Sequence, residues 1–146
     1  MSNIPGAGLR KGDNGKYVFA LPVASDAQIP LINIESDTGK FVKAILMNRD
    51  EALGKEYYGA VRYYTPQEVV DDFIKVFPED GKGASFYQLP DEKYKAMLGS
   101  MGMPDKIQEE LLQNMKLLGK EYGYYAGADL KDSQRVSETK VAGLID

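Results

Sequence analysis

The chain has 146 residues, 43% of them apolar and 27% charged, with a net charge of −4. That composition suits one folded globular domain, and no apolar run approaches the ~20 residues that span a bilayer, so no membrane partner is expected. Lys and Arg are scattered among acids, which excludes a basic stripe for direct nucleic-acid binding; zero Cys and zero His remove disulfides, thiolate metal sites and the commonest general base.

Met1 to Gly6 carries neither a basic nor an apolar segment of the secretory kind, so a cytoplasmic location, with a nuclear one beside it, is expected. Gly6-Ala7-Gly8-Leu9-Arg10-Lys11 begins like a Gly-x-Gly-x-x-Gly phosphate loop, but Lys11 replaces the third glycine and no strand precedes it, so the glycines are read as shaping a loop. Asn14-Gly15 marks a turn. Tyr17 to Leu21 and Ile29 to Ile34 read as two strands, separated by the polar break at Ser25-Asp26.

Ser36 or Asp37 can cap a helix over residues 38–47, with Phe41, Val42, Ile45 and Leu46 as its buried stripe. After an exposed stretch from Asn48 to Lys55, Tyr57 to Tyr64 reads as a strand. Thr65-Pro66-Gln67-Glu68 then combines a capping box with a first-turn proline, and Val69, Val70, Phe73, Val76 and Phe77 supply one apolar face up to Pro78. Ala84 to Leu89 completes a strand-helix-strand unit, for which a parallel crossover is expected. Pro90-Asp91-Glu92 opens a short helix with Tyr94, Met97 and Leu98; Gly99 to Gly102 breaks it. Pro104-Asp105 opens a longer one whose seam is Ile107, Leu111, Met115 and Leu118. A short helix from Ala128 to Val136 precedes a polar tail.

No tyrosine is followed four residues later by lysine, so the Tyr-x-x-x-Lys dyad of short-chain dehydrogenases is absent. The paired acids Asp71-Asp72 and Glu109-Glu110 fall on polar helix faces, where solvation accounts for them. The doublets Tyr57-Tyr58, Tyr63-Tyr64 and Tyr124-Tyr125 are read mainly as strand packing, since adjacent strand residues point to opposite faces and each doublet offers one ring to any cleft. Tyr124 and Tyr125 stand apart as candidates for a substrate or partner cleft, because flanking glycines let a ligand approach the backbone.

Ile29-Pro30-Leu31-Ile32-Asn33-Ile34 with Asp37-Thr38-Gly39-Lys40-Phe41-Val42, Tyr64-Thr65-Pro66-Gln67-Glu68, Gln88-Leu89-Pro90-Asp91, Gly123-Tyr124-Tyr125 and the opening Met1-Ser2-Asn3 together resemble the carboxyl-terminal half of the NmrA-like family. The resemblance implies an α/β, partial Rossmann-like protein: a substrate-side lobe with short mixed strands and a strand-helix-strand unit packed by helices. It covers residues 1–136, leaving 137–146 as a divergent, flexible tail without the tryptophan-containing closing helix usual in the family. It implies a redox-sensor or atypical short-chain dehydrogenase ancestry, with NAD or NADP as the cofactor of the parent family. Asn3 is the one position it sets near the nicotinamide end of a dinucleotide.

On this reading the chain is truncated of its dinucleotide-binding half, binds no cofactor by itself, and serves as a non-catalytic binding or regulatory protein for a small molecule or a protein partner. The alternative is a share in an NAD(P)-dependent oxidoreductase of the atypical short-chain type. Strands built to lie against a larger sheet would leave edges open, so self-association through an exposed sheet edge is expected.

Overall fold

The computed structural model describes residues 8–119 and 123–138. These form a mixed α/β protein with two small sheets. Its strands are β1 (Leu9–Lys11), β2 (Tyr17–Leu21), β3 (Ile29–Leu31), β4 (Arg62–Tyr64) and β5 (Ser85–Gln88). Its helices are α1 (Ile34–Met47), α2 (Arg49–Ala52), α3 (Pro66–Val76), α4 (Asp91–Ser100), α5 (Asp105–Leu118) and α6 (Lys131–Glu138), with a one-turn 3₁₀ helix at Tyr124–Gly127. No helix among the described residues is long and apolar enough to cross a membrane.

β1 and β2 form an antiparallel hairpin closed by the turn around Gly15, whose φ of 74° is open to glycine without strain. The glycine-rich segment upstream of Tyr17 thus includes a strand, β1, that its composition conceals. β5 joins the other side of β2 in parallel, and β3 pairs with β4 antiparallel in a separate ribbon. The order strand, helix, strand is present from β4 through α3 to β5, but the expected crossover between those two strands is not: α3 carries the chain from one sheet to the other. The cause is burial. Pairing β5 with β2 sets Phe86 6.2 Å from Phe19, and Val70 of α3 closes the same core from above.

That core contains Phe19, Leu21, Ile29, Val70, Tyr94 and Leu98, with Leu112, Met115 and Leu118 of α5 against them. The α5 seam is rotated from the expected one: Leu112 takes the buried place and Ile107 is 40% exposed, because Leu112, Met115 and Leu118 at three-residue intervals turn into the main core, where α5 packs on α4. A smaller cluster joins Phe41 and Ala44 to Ile32, Ile45 and Tyr57. Val42 and Leu46 stay exposed, since the stripe that starts at Phe41 continues through Ala44, a small residue easily overlooked in a periodic reading.

α1 begins at Ile34, four residues before the expected start, because its cap is Asn33 rather than Ser36 or Asp37. Asn33 has extended backbone, its Oδ1 accepts the Ser36 amide at 3.3 Å, and its carbonyl accepts the Asp37 amide at 2.8 Å. The strand expected over Tyr57 to Tyr64 keeps only its last three residues: the Ala60 amide donates to the Tyr58 carbonyl at 2.7 Å, which bends the chain at Gly59. The cap of α3 follows its sequence signature: Thr65 Oγ1 accepts the Glu68 amide at 3.2 Å and the Glu68 carboxylate accepts the Thr65 amide at 2.7 Å.

Two substitutions test this architecture. Thr65→Ala should lower stability by ~1 kcal/mol in urea melts while Thr65→Asp stays nearly neutral, since aspartate keeps an acceptor at the cap. Gly81→Ala should cost about 1–3 kcal/mol, because a Cβ there would lie 2.7 Å from Ile74 Cα and 2.8 Å from the Phe77 carbonyl oxygen, atoms that cannot swing aside. Wild-type stability of the alanine variant would mean that α3 and the turn at Gly81 do not approach so closely.

Candidate functional site

The β3–β4 ribbon has two faces, and adjacent tyrosines divide between them. Tyr63 turns toward the carboxyl-terminal segment, where its hydroxyl donates to the Ala128 carbonyl at 3.2 Å. Tyr64 lines a groove on the other side together with Leu31, Ile32, Asn33, Asp37, Val61, Val69 and Asp72. The other two doublets also divide. Tyr57 joins the Phe41 cluster and Tyr58 meets Tyr125; Tyr124 packs against the main core, while Tyr125 lies with its ring 4.9 Å from that of Tyr58 at 52°. One ring from each doublet, Tyr58, Tyr63 and Tyr125, therefore forms a cluster that no single doublet signals.

Tyr125 has a φ of 61° and is the one non-glycine residue with positive φ among the described residues. An aromatic side chain in that region stores strain of about 1–3 kcal/mol. Gly123 at 52° and Gly127 at 68° bracket it, so the backbone winds through three left-handed residues in five. Its ring meets Tyr58, and bonds between neighbouring segments surround the pair. A Cβ on Gly59 would lie 4.0 Å from the Tyr125 hydroxyl, so that backbone passes near the end of the side chain. Behind it, Ser133, only 1% exposed, accepts the Tyr58 amide on its hydroxyl oxygen at 2.9 Å, and the Gln134 side chain donates to the Val61 carbonyl at 2.9 Å.

Tyr58 and Tyr63 are poorer acids than a free tyrosine. The hydrogen bond to Glu56 pushes Tyr58 up from its ordinary value, and burial, followed by the neighbouring Tyr125, pushes Tyr63 up. Both stay protonated at neutral pH and act as hydrogen-bond donors and as apolar surface. No cation lowers either one, as a dehydrogenase tyrosine requires.

The groove, about 380 Å³, has a mainly apolar floor with two carboxylates on its rim. Lys40, then the Ser36 hydroxyl, hold Asp37 below its ordinary value; Asp72 meets the Arg62 guanidinium at 3.4 Å. Arg62 also binds Glu68 at 2.9 Å and lies 3.6 Å over the Tyr64 ring. This arrangement can hold a small amphipathic group by contact and hydrogen bonding. Among the described residues that line it, none is a general base or nucleophile activated by its neighbours. Among the described residues no group of three or more acidic side chains converges as a metal site.

A dinucleotide pyrophosphate would seek a strand-to-helix junction with free amides. Three such junctions, β3–α1, β4–α3 and β5–α4, carry acids in the first helical turn: Glu35 and Asp37, Glu68, and Asp91 and Glu92. The first two are also closed by their own side-chain caps, so these residues do not fit the phosphates. Asn3 lies outside the described residues.

The chain matches the model of the NmrA-like family over residues 2–143, nearly its whole length, and it belongs to that family. Nothing among curated proteins or among solved structures matches it.

Exchanging Tyr125 tests the strain directly. Tyr125→Gly should be more stable than Tyr125→Ala by ~1 kcal/mol, because both lose the ring but only alanine keeps a Cβ in the left-handed region. The opposite order in thermal or urea unfolding would show that no strain resides there.

Proposed function

We propose that this NmrA-like chain acts as a binding and regulatory lobe of the redox-sensor type, non-catalytic by itself, that receives a small molecule or a protein partner on the β3–β4 ribbon. The observation that carries this reading is the chemistry of the ribbon's two faces. One offers the clustered rings of Tyr58, Tyr63 and Tyr125, the first two held protonated, the other an apolar groove rimmed by Asp37 and Asp72, and among the described residues neither supplies a tuned proton acceptor. Tyr125 is the cleft residue of the proposal, while Tyr124 supports it from the core side.

NmrA-like proteins generally bind NAD(P), and that favours a second reading, a share in an NAD(P)-dependent oxidoreductase of the atypical short-chain type. Against it, for this chain alone, stand the carboxylates at the strand-to-helix junctions, which repel a pyrophosphate where amides would have to receive it.

Calorimetric titration separates the two. The chain should bind NADPH and NADH only weakly and should transfer no hydride from either to a panel of quinones and aldehydes. Micromolar or tighter affinity, or steady turnover by the purified chain, would overturn the regulatory reading in favour of the enzymatic one.

A further inference from the structure

The three-stranded sheet has two edges of different character. β1, at one side, carries Arg10 and Lys11, charges that discourage pairing with another chain. β5, at the other, reads Ser-Phe-Tyr-Gln, with neither charge nor proline, and Ser85, Tyr87 and Gln88 are exposed. The direction of its backbone groups follows from the register. The Leu89 amide donates to the Leu21 carbonyl at 2.8 Å, and Leu21 stands opposite Gln88 in a parallel pair. In such a ladder alternate residues face the partner, so Tyr87 and Leu89 bond toward β2 while Phe86 and Gln88 direct their N–H and C=O groups outward. Among the described residues nothing pairs with them.

We propose that β5 pairs antiparallel with β5 of a second copy of this chain, about a two-fold axis at Tyr87, joining two three-stranded sheets into one continuous sheet. A two-fold perpendicular to the sheet keeps the helices of both copies on one side and requires residues of the same parity to stand opposite one another. With the axis at Tyr87, Phe86 faces Gln88 of the second copy and Gln88 faces its Phe86. Every outward amide and carbonyl of these residues then finds a partner, in two hydrogen-bonded pairs. The two Tyr87 residues meet between them at the closely spaced position, with Cα atoms about 4.5 Å apart, on the face that also shows Val18 and Ala20. An identical strand suits this edge because β5 has no charge to repel its own copy, and a shift by one residue would put outward groups opposite inward ones.

Sedimentation velocity and cysteine cross-linking on the full chain test the pairing. The wild type should pass from monomer to dimer between roughly 1 and 100 μM, and Tyr87→Lys, which sets two like charges opposite one another, should weaken the dimer at least about tenfold. Tyr87→Cys should oxidise to a covalent dimer, whereas Gln88→Cys, offset by two residues from its copy, should not. A compact monomer throughout the series would overturn the proposal. So would a dimer that Tyr87→Lys leaves intact, cross-linking that does not distinguish the two cysteine variants, or binding of unrelated strand peptides with no self-pairing.

Discussion

The Glu68 carboxylate holds together the junction on which the rest of the site depends. One oxygen accepts the Thr65 amide at 2.7 Å and the other meets Arg62 at 2.9 Å, so a single side chain ties the last strand of the ribbon to the first turn of α3. The Thr65 amide, then Arg62, hold Glu68 below its ordinary value, so it remains an anion over the whole neutral range. With Arg62 held, its guanidinium lies on the Tyr64 ring, and Tyr64 is committed to the groove. Tyr63, next in the chain, must then face the opposite way, toward Ala128 and the tyrosine cluster. The division of the ribbon into two faces thus descends from a cap.

The tyrosine cluster shows a balance in which no single contact suffices. The ring pair between Tyr58 and Tyr125 contributes about 0.5–1.5 kcal/mol beyond area burial, whereas a left-handed aromatic residue costs about 1–3 kcal/mol. The difference is supplied by bonds that anchor the segments on either side. Tyr63 to Ala128 fixes the chain just after the strained residue, and Tyr58 to Ser133 and Gln134 to Val61 bind α6 to the ribbon. Strain of this kind persists only where the surroundings over-determine it, and that is the basis on which Tyr125 enters the proposed site.

Much of the local structure was legible because its signals are local. β2 occupies the residues its β-prone composition after the Asn14-Gly15 turn suggests, and the capping box at Thr65 and Glu68 is a short-range motif whose geometry follows from its spacing. What escaped depended on distant partners. β1 is three residues of undistinguished composition that become a strand only because Tyr17 to Phe19 lies alongside. Asn33 was concealed because Ile29 to Ile34 read as one strand, whereas β3 ends at Leu31 and leaves Asn33 free to cap α1. β5 was assigned to the wrong neighbour because order along the chain favours β4, whereas Phe86 finds its buried contact with Phe19 on β2. In the candidate site, the glycines around Tyr125 drew notice for conformational reasons, yet its meeting with Tyr58 and Tyr63 joins residues more than sixty positions apart, which a single sequence does not encode in any readable pattern.

The groove inherits its rigidity from the core through two consecutive residues. Val70 is fully buried among Phe19, Leu21 and Tyr94, while Val69, one position earlier, packs on the same core and lines the groove. The groove wall can move only if α3 moves, and α3 can move only by opening a close-packed interior, where even a methylene-sized gap is costly. A wall built in this way is preformed. Its opposite side is different: Asp37 belongs to the first turn of α1, whose cluster has only Phe41 and Ala44 buried, so far less packing resists its displacement. On the reading proposed above, a ligand in the groove meets one wall fixed by the main core and one held only by the smaller cluster, so any displacement it causes falls on α1, against which α6 packs.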